Sequence, residues 1–237
     1  MTVQKKSAGV WQIAPPHPAT PPRRRNAPRL PPDERRTQLL DAALRVVGRD
    51  GLAQLTMQSV AKEAGVAKPV LYALYPTAPE LVAALLRREH ARGMAQVLGA
   101  MPTDLRRADP DAEFIGAAMG FLEAVYADPM RWRLILVHAD GAPSDYREVL
   151  TAARDQLLAR CIELLAVGIR VRGGPEDADI ELIGTAMLGF IEVLGRMVLS
   201  NRQQFPPERL RSTVRALLRT IPRASDSTAP VASEDSA

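Results

Sequence analysis

At 237 residues the chain is long enough for one or two domains with a sizeable core, and 46% apolar but only 4% aromatic residues, with abundant Ala, Leu and Arg, favour helix over sheet. A single cysteine, Cys161, excludes an internal disulfide and a multi-cysteine metal site, and its ordinary role is that of a small buried apolar residue. The net charge of +4 gathers at the front: residues 1 to 50 hold ten Lys or Arg against four Asp or Glu, which suits a polyanionic partner, while the last fifteen residues lean acidic.

Residues 1–31 cluster prolines ("APPHPATPP", "APRLPP") around Arg23, Arg24 and Arg25, show no apolar period or signal-peptide core, and are expected to be a disordered basic arm. The first helix is read in "DERRTQLLDAALRVVGRDG", where Leu39, Leu40, Ala43, Leu44 and Val47 share one face and Gly51 supplies the stop. In "LTMQSVAKEAG", Thr56 is the expected N-cap and Gly65 the end. A third, short helix is expected from Pro69 to near Tyr75, with Lys68 turned away from helical geometry by the proline after it. Thr77 caps a fourth, "APELVAALLRREHARGMAQVLGAM". Further helices are expected over 111–127, 129–138, 144–171, 175–199 and 207–221, and residues 222–237 read as a second disordered tail. The reading is all-α, with about nine helices and no convincing strand. No apolar run approaches the roughly 18 residues of a membrane span, so a soluble, cytoplasmic protein is expected.

The stretch "KEAGVAKPVLYALYPT" (62–77) carries the chemistry. A helix, a short turn with a glycine, and a second helix describe a helix-turn-helix, which lays its second helix in a major groove while the first crosses the backbone. Gly65 suits a turn position with positive φ, Val66 plugs the corner, and Leu71 faces inward with Tyr75. Lys68, Val70, Tyr72 and Ala73 are left outside. By itself this corner is also compatible with an αα-corner that never meets nucleic acid.

Residues 35–86 resemble the DNA-binding domain of the TetR family of transcriptional repressors, through "VVGRDGL", "LTMQSVAKEAGV", "KPVLYALY" and "PTAPEL". The resemblance implies a three-helix helix-turn-helix domain over 32–78 and a helical effector-binding and dimerisation domain over 79–221. It also implies a double-stranded DNA operator, an inverted repeat bound by a homodimer, and a small-molecule effector. Residue by residue it implies DNA contacts from Thr56, Gln58, Ala67, Lys68, Pro69, Val70 and Tyr72, with the arginine arm as an added candidate. The chain departs from the family's frequent residues at Ala67, Pro69, Val70, Leu74, Tyr75 and Ala78, so several polar donors to DNA are missing.

The same resemblance places Phe114, Phe121, Tyr126, Trp132, His138 and Met187 on helices that line the effector chamber, with Tyr126 and His138 as its polar anchors. Few charges in that lining imply an apolar or amphipathic effector. Helix 175–199 is apolar nearly all round and carries Gly184, Ala186 and Gly189, which suits close pairing with a second copy. Ile183, Met187, Phe190 and Leu194, with Val214 and Leu218 of the last helix, are the expected dimer contacts. No catalytic constellation, metal set or cofactor motif is present: His17, His90 and His138 are dispersed, and no Gly-rich phosphate loop occurs. The alternative is a helical dimeric adaptor, or an enzyme, that keeps the corner without operator binding.

Overall fold

The computed structural model describes residues 30–106, 109–137, 144–175 and 177–221. Their regular structure is entirely helical: α1 (Pro32–Asp50), α2 (Met57–Ala64), α3 (Lys68–Tyr72), α4 (Ala78–Ala100), α5 (Pro110–Ala127), α6 (Pro129–Leu136), α7 (Ser144–Arg172), α8 (Ile180–Ser200) and α9 (Pro207–Arg219). One further turn of 3-10 helix, Leu52–Gln54, bridges α1 and α2.

Several boundaries differ from expectation: α3 ends at Tyr72, short of the expected Tyr75, α6 and α9 each end two residues early, and two starts move. α3 begins at Lys68, and the extended residue is Ala67 (ψ 142°), so the constraint before the proline is absorbed one position earlier. α8 begins at Ile180, five residues later than read: α7 exits through Gly173 and Gly174 at positive φ, and Asp179 caps the new helix by accepting from the Leu182 N–H at 2.9 Å. The acidic run before it therefore belongs to a connection and a cap.

The helices close two cores. The first packs Leu39, Ala43 and Val46 of α1 against Met57, Val60 and Ala64 of α2, Leu71 and Tyr75 around α3, and Leu81, Leu85 and Leu86 of α4. The second gathers Met119, Phe121, Leu122 and Val125 of α5 with Leu194 and Val198 of α8 and Leu210 and Val214 of α9. α6 joins them, because Leu134 is buried in the first core while Trp132, two residues earlier, belongs to the second. Gly93 lets α4 and α6 approach: a Cβ there would stand 2.7 Å from the Ile135 Cδ1.

α8 is 21 residues long, and its most apolar window has mean hydropathy 1.7, which by length and composition would suffice to cross a membrane. It is packed against α5, α6 and α7, and its Glu192 pairs with Arg154 of α7 at 3.1 Å. Its buried side carries Met187, Leu194 and Val198; its outward side carries Leu182, Ala186 and Val193. Leu194, Val214 and Leu218, expected as dimer contacts, are buried within a single chain. The sequence period identified the apolar helices correctly but not which of two apolar faces the monomer already uses.

Candidate nucleic-acid interface and internal cavity

The corner is built from reciprocal hydrogen bonds. Thr56, extended at φ −121° and ψ 156°, accepts from the Ser59 N–H at 3.0 Å, and the Ser59 hydroxyl oxygen accepts from the Thr56 N–H at 3.0 Å. Gly65 ends α2 at φ 67° and ψ 30°, a left-handed conformation that would strain any residue with a Cβ. The N–H groups of Gly65 and Val66 return to the last carbonyls of α2, and Gln38 of α1 donates to the Ala64 carbonyl at 3.1 Å, tying the corner to α1. Leu71 is fully buried and Tyr75 nearly so, which fixes the face α3 turns inward and accounts for roughly 2 kcal/mol of burial by Leu71 alone.

That orientation leaves Ala67, Lys68, Pro69, Val70 and Tyr72 on the outside, Tyr72 at 48% exposure. Thr56 and Gln58 are exposed on the neighbouring helix. The Lys68 ammonium donates to the Gln58 Oε1 at 3.3 Å, so two of the expected contacts meet across the corner. Arg45 and Arg49 are instead engaged by Glu63, at 2.8 and 3.1 Å, and these guanidiniums hold its carboxyl below the usual carboxylate range. Arg23, Arg24 and Arg25 lie outside the described residues.

Beneath this domain a cavity of about 420 Å³ opens among α4, α5, α6, α7 and α8. One face of α7 lines it continuously, through Leu150, Arg154, Leu157, Cys161, Leu164, Gly168 and Arg172. At 1.5 Å per residue that stripe is roughly 33 Å long, so the cavity is an elongated channel. Phe114, Phe121, Trp132 and Met187 line it, with Phe121 and Trp132 in an edge-to-face contact at 4.9 Å. Tyr126 does not. Its hydroxyl donates to the Phe205 carbonyl and Arg202 stacks on its ring at 4.8 Å, so it pins the α8–α9 connection instead of reaching inward. His138 lies outside the described residues.

His90, which the reading of the lining passed over, is on the wall, and its period with Met94 and Val97 was the available signal. Burial pushes the His90 imidazole below its usual value and the Cys161 thiol above its own. The indole N–H of Trp132, whose ring helps line the cavity, is buried without a hydrogen-bond acceptor among the described residues.

A buried ion cluster joins this cavity region to the upper domain. Glu89 of α4 is wholly buried and accepts from Arg88 at 2.6 Å and from Arg131 of α6 at 2.9 Å. Arg88 also reaches Asp41 of α1 at 2.7 Å. α1, α4 and α6 are thereby held by one set of charges. Among the described residues no group of three or more His, Cys, Asp or Glu could hold a metal ion.

Residues 39–85 match the family model for bacterial regulatory proteins of the tetR family. Over 111 residues, 47% of this chain, the sequence is 37% identical to the helix-turn-helix-type transcriptional activator FasR of Mycolicibacterium smegmatis, covering 49% of that protein. Over 164 residues, 68% of this chain, it is 25% identical to the helix-turn-helix-type transcriptional regulator Rv0472c of Mycobacterium tuberculosis, covering 65% of it. The chain thus spans about half to just under two thirds of the length of these curated relatives. Among solved structures, a TetR-like transcriptional regulator from Rhodococcus sp. RHA1 superposes with TM-score 0.66 at 26% identity, over 80% of this chain and 96% of that one. The regulator FadR from Bacillus subtilis, solved in complex with stearoyl-CoA, shares the fold with TM-score 0.63 at 18% identity, over 77% of this chain and 96% of that one.

Proposed function

We propose that this chain, a member of the TetR family of transcriptional regulators, binds an operator through α2 and α3 and is controlled by an apolar or amphipathic effector held in the channel beneath them. The observation that carries the reading is the shared helix α4. It packs into the helix-turn-helix core through Leu81, Leu85 and Leu86 and lines the channel through His90, Met94 and Val97. A ligand that favours one position of α4 therefore favours one placement of α3.

α3 enters the major groove with Lys68, Pro69, Val70 and Tyr72 leading, Val70 offering an apolar contact to a thymine methyl and Tyr72 a hydroxyl to phosphate. Thr56 and Gln58 approach the backbone, where the unpaired N–H groups at the start of α2 favour an anion. The chain acts as a homodimer on an inverted repeat, because each copy carries one helix-turn-helix. The pairing surface is the outward side of α8, where Leu182 stands 65% exposed beside Ile183, Ala186, Phe190 and Val193. Such a protein works in the cytoplasm.

Repression is the sign implied by the family, while the mycobacterial relative FasR is named an activator. Loss of operator affinity on effector loading is the physical step common to both. The test selects bound fragments from genomic DNA with the full-length chain, then titrates the enriched operator with and without long-chain apolar compounds. Specific binding that such a compound weakens supports the reading. Absence of any salt-dependent shift with genomic DNA would support the adaptor alternative.

A further inference from the structure

We propose that the arginine-lined cleft where α5, α7 and α9 meet holds a multiply charged anionic head, of phosphate type, whose apolar tail occupies the channel. This deepens the effector reading and rests on the channel being the effector site. The cleft encloses about 580 Å³ and is lined by Asp109, Asp111, Arg172, Arg211, Arg215 and Arg219. It adjoins the channel: Asp111, Arg172, Leu218 and Ile221 border both.

Its charges are out of balance. Asp109 caps α5 by accepting from the Asp111 N–H at 3.0 Å, and the Asp111 carboxylate lies 3.0 Å from the Arg172 Nε. Both carboxylates are thus engaged. Arg211, Arg215 and Arg219 recur every fourth residue along α9, and none makes an ion pair within the described residues. Like charges at this spacing repel by a few tenths of a kcal/mol per pair, a repulsion that an anion lying across the stripe would relieve.

Arg172 links the cleft to the channel. Its side chain is only 8% exposed, one terminal nitrogen donates to the Leu218 carbonyl at 3.0 Å, and its Nε is buried near Asp111 but too poorly aligned for a hydrogen bond. Held by Asp111 and the Leu218 carbonyl, this guanidinium fixes the wall between cleft and channel. Arg172 is already paired with Asp111, so the charges left for a ligand head are those of α9. Three guanidiniums in reach call for a head with at least two negative charges, and planar guanidinium groups pair with phosphate oxygens two at a time.

The experiment titrates the full-length protein with stearoyl-CoA, stearate and free coenzyme A, using calorimetry and sedimentation, and repeats each with R211A/R215A/R219A and with the triple lysine variant. All three sites are exposed, so the fold should survive, and circular dichroism checks it. The expected result is stearoyl-CoA bound about tenfold or more tightly than stearate, with a steep salt dependence. The alanine variant should lose about that factor for stearoyl-CoA alone, and the lysine variant should recover part of it. Equal loss for both acyl probes, or none for stearoyl-CoA, would overturn the proposal while stearate binding kept the channel reading intact. An alanine variant that turned monomeric with unchanged stearoyl-CoA affinity would assign the stripe to subunit pairing and also overturn it. Failure of both acyl probes to bind the unaltered protein would reject the head site and the channel reading together.

Discussion

Lys68 and Tyr72 stand on the same exposed side of α3, and their expected roles separate in one measurement. If both meet phosphates, Tyr72→Phe weakens operator binding by on the order of 1 kcal/mol irrespective of sequence. Lys68→Ala lowers the slope of log affinity against log salt by about one per subunit. An unchanged slope with altered base preference would make Lys68 a base reader. At the other end of the residue scale, His90 is buried on the channel wall, and burial lowers its pKa from its usual value near 6.5. The unfolded chain then binds this proton at a higher pH than the folded one, so stability falls as pH drops below about 6.5 and is unaffected by His90 above it. Urea midpoints at pH 7.5 and 5.5 should show the unaltered protein losing more than His90→Gln; parallel losses would remove His90 from the account.

Among elements, α6 is the piece whose importance exceeds its eight residues. It sends Leu134 into the upper core, Trp132 and Ile135 toward the channel, and Arg131 onto buried Glu89. Removing one partner of a buried pair leaves a charge poorly compensated, which costs about 3–5 kcal/mol when nothing else relieves it. Arg88 also donates to Glu89, so Arg131→Met should cost less than that range. The same variant should shrink the change in operator affinity that a channel ligand produces, because α6 no longer holds α4 through Glu89. Operator titrations with saturating and with no ligand measure that coupling; an undiminished ratio would show that packing alone carries it.

At the scale of the whole molecule, the proposed reading makes the pairing surface and the basic arm the features that would set how tightly two copies hold DNA. Val193→Glu places a charge on the outward side of α8 without touching the inner core, and should convert dimers to monomers with little operator affinity, as sedimentation and gel shifts would record. Leu194→Glu would instead damage the fold, since Leu194 is buried within one chain. The residues "RRRNAPR" (23–29) precede α1 and supply four arginines. A chain starting at Pro31 should bind the operator with a shallower salt slope, by up to about 0.9 for each phosphate that the arm neutralises. Parallel slopes would mean that the arm contributes nothing.

The sequence by itself determined the helical class, nearly every helix and the corner that presents α3. Those features rest on local chemistry: caps at Thr56 and Thr77, a left-handed stop at Gly65, and an apolar period that settles Leu71 and Tyr75 inward. It also marked the aromatic and methionine side chains from which a channel wall is made. Tertiary structure decided the rest, because the outcome depended on which neighbour reached a side chain first. Tyr126 was claimed by the Phe205 carbonyl, Leu194 and Val214 by the chain's own second core, and Glu89 by arginines from two helices. The arginines of α9 gained their meaning only when packing set them beside Arg172 at the channel's end, a juxtaposition across some forty residues that no local pattern encodes.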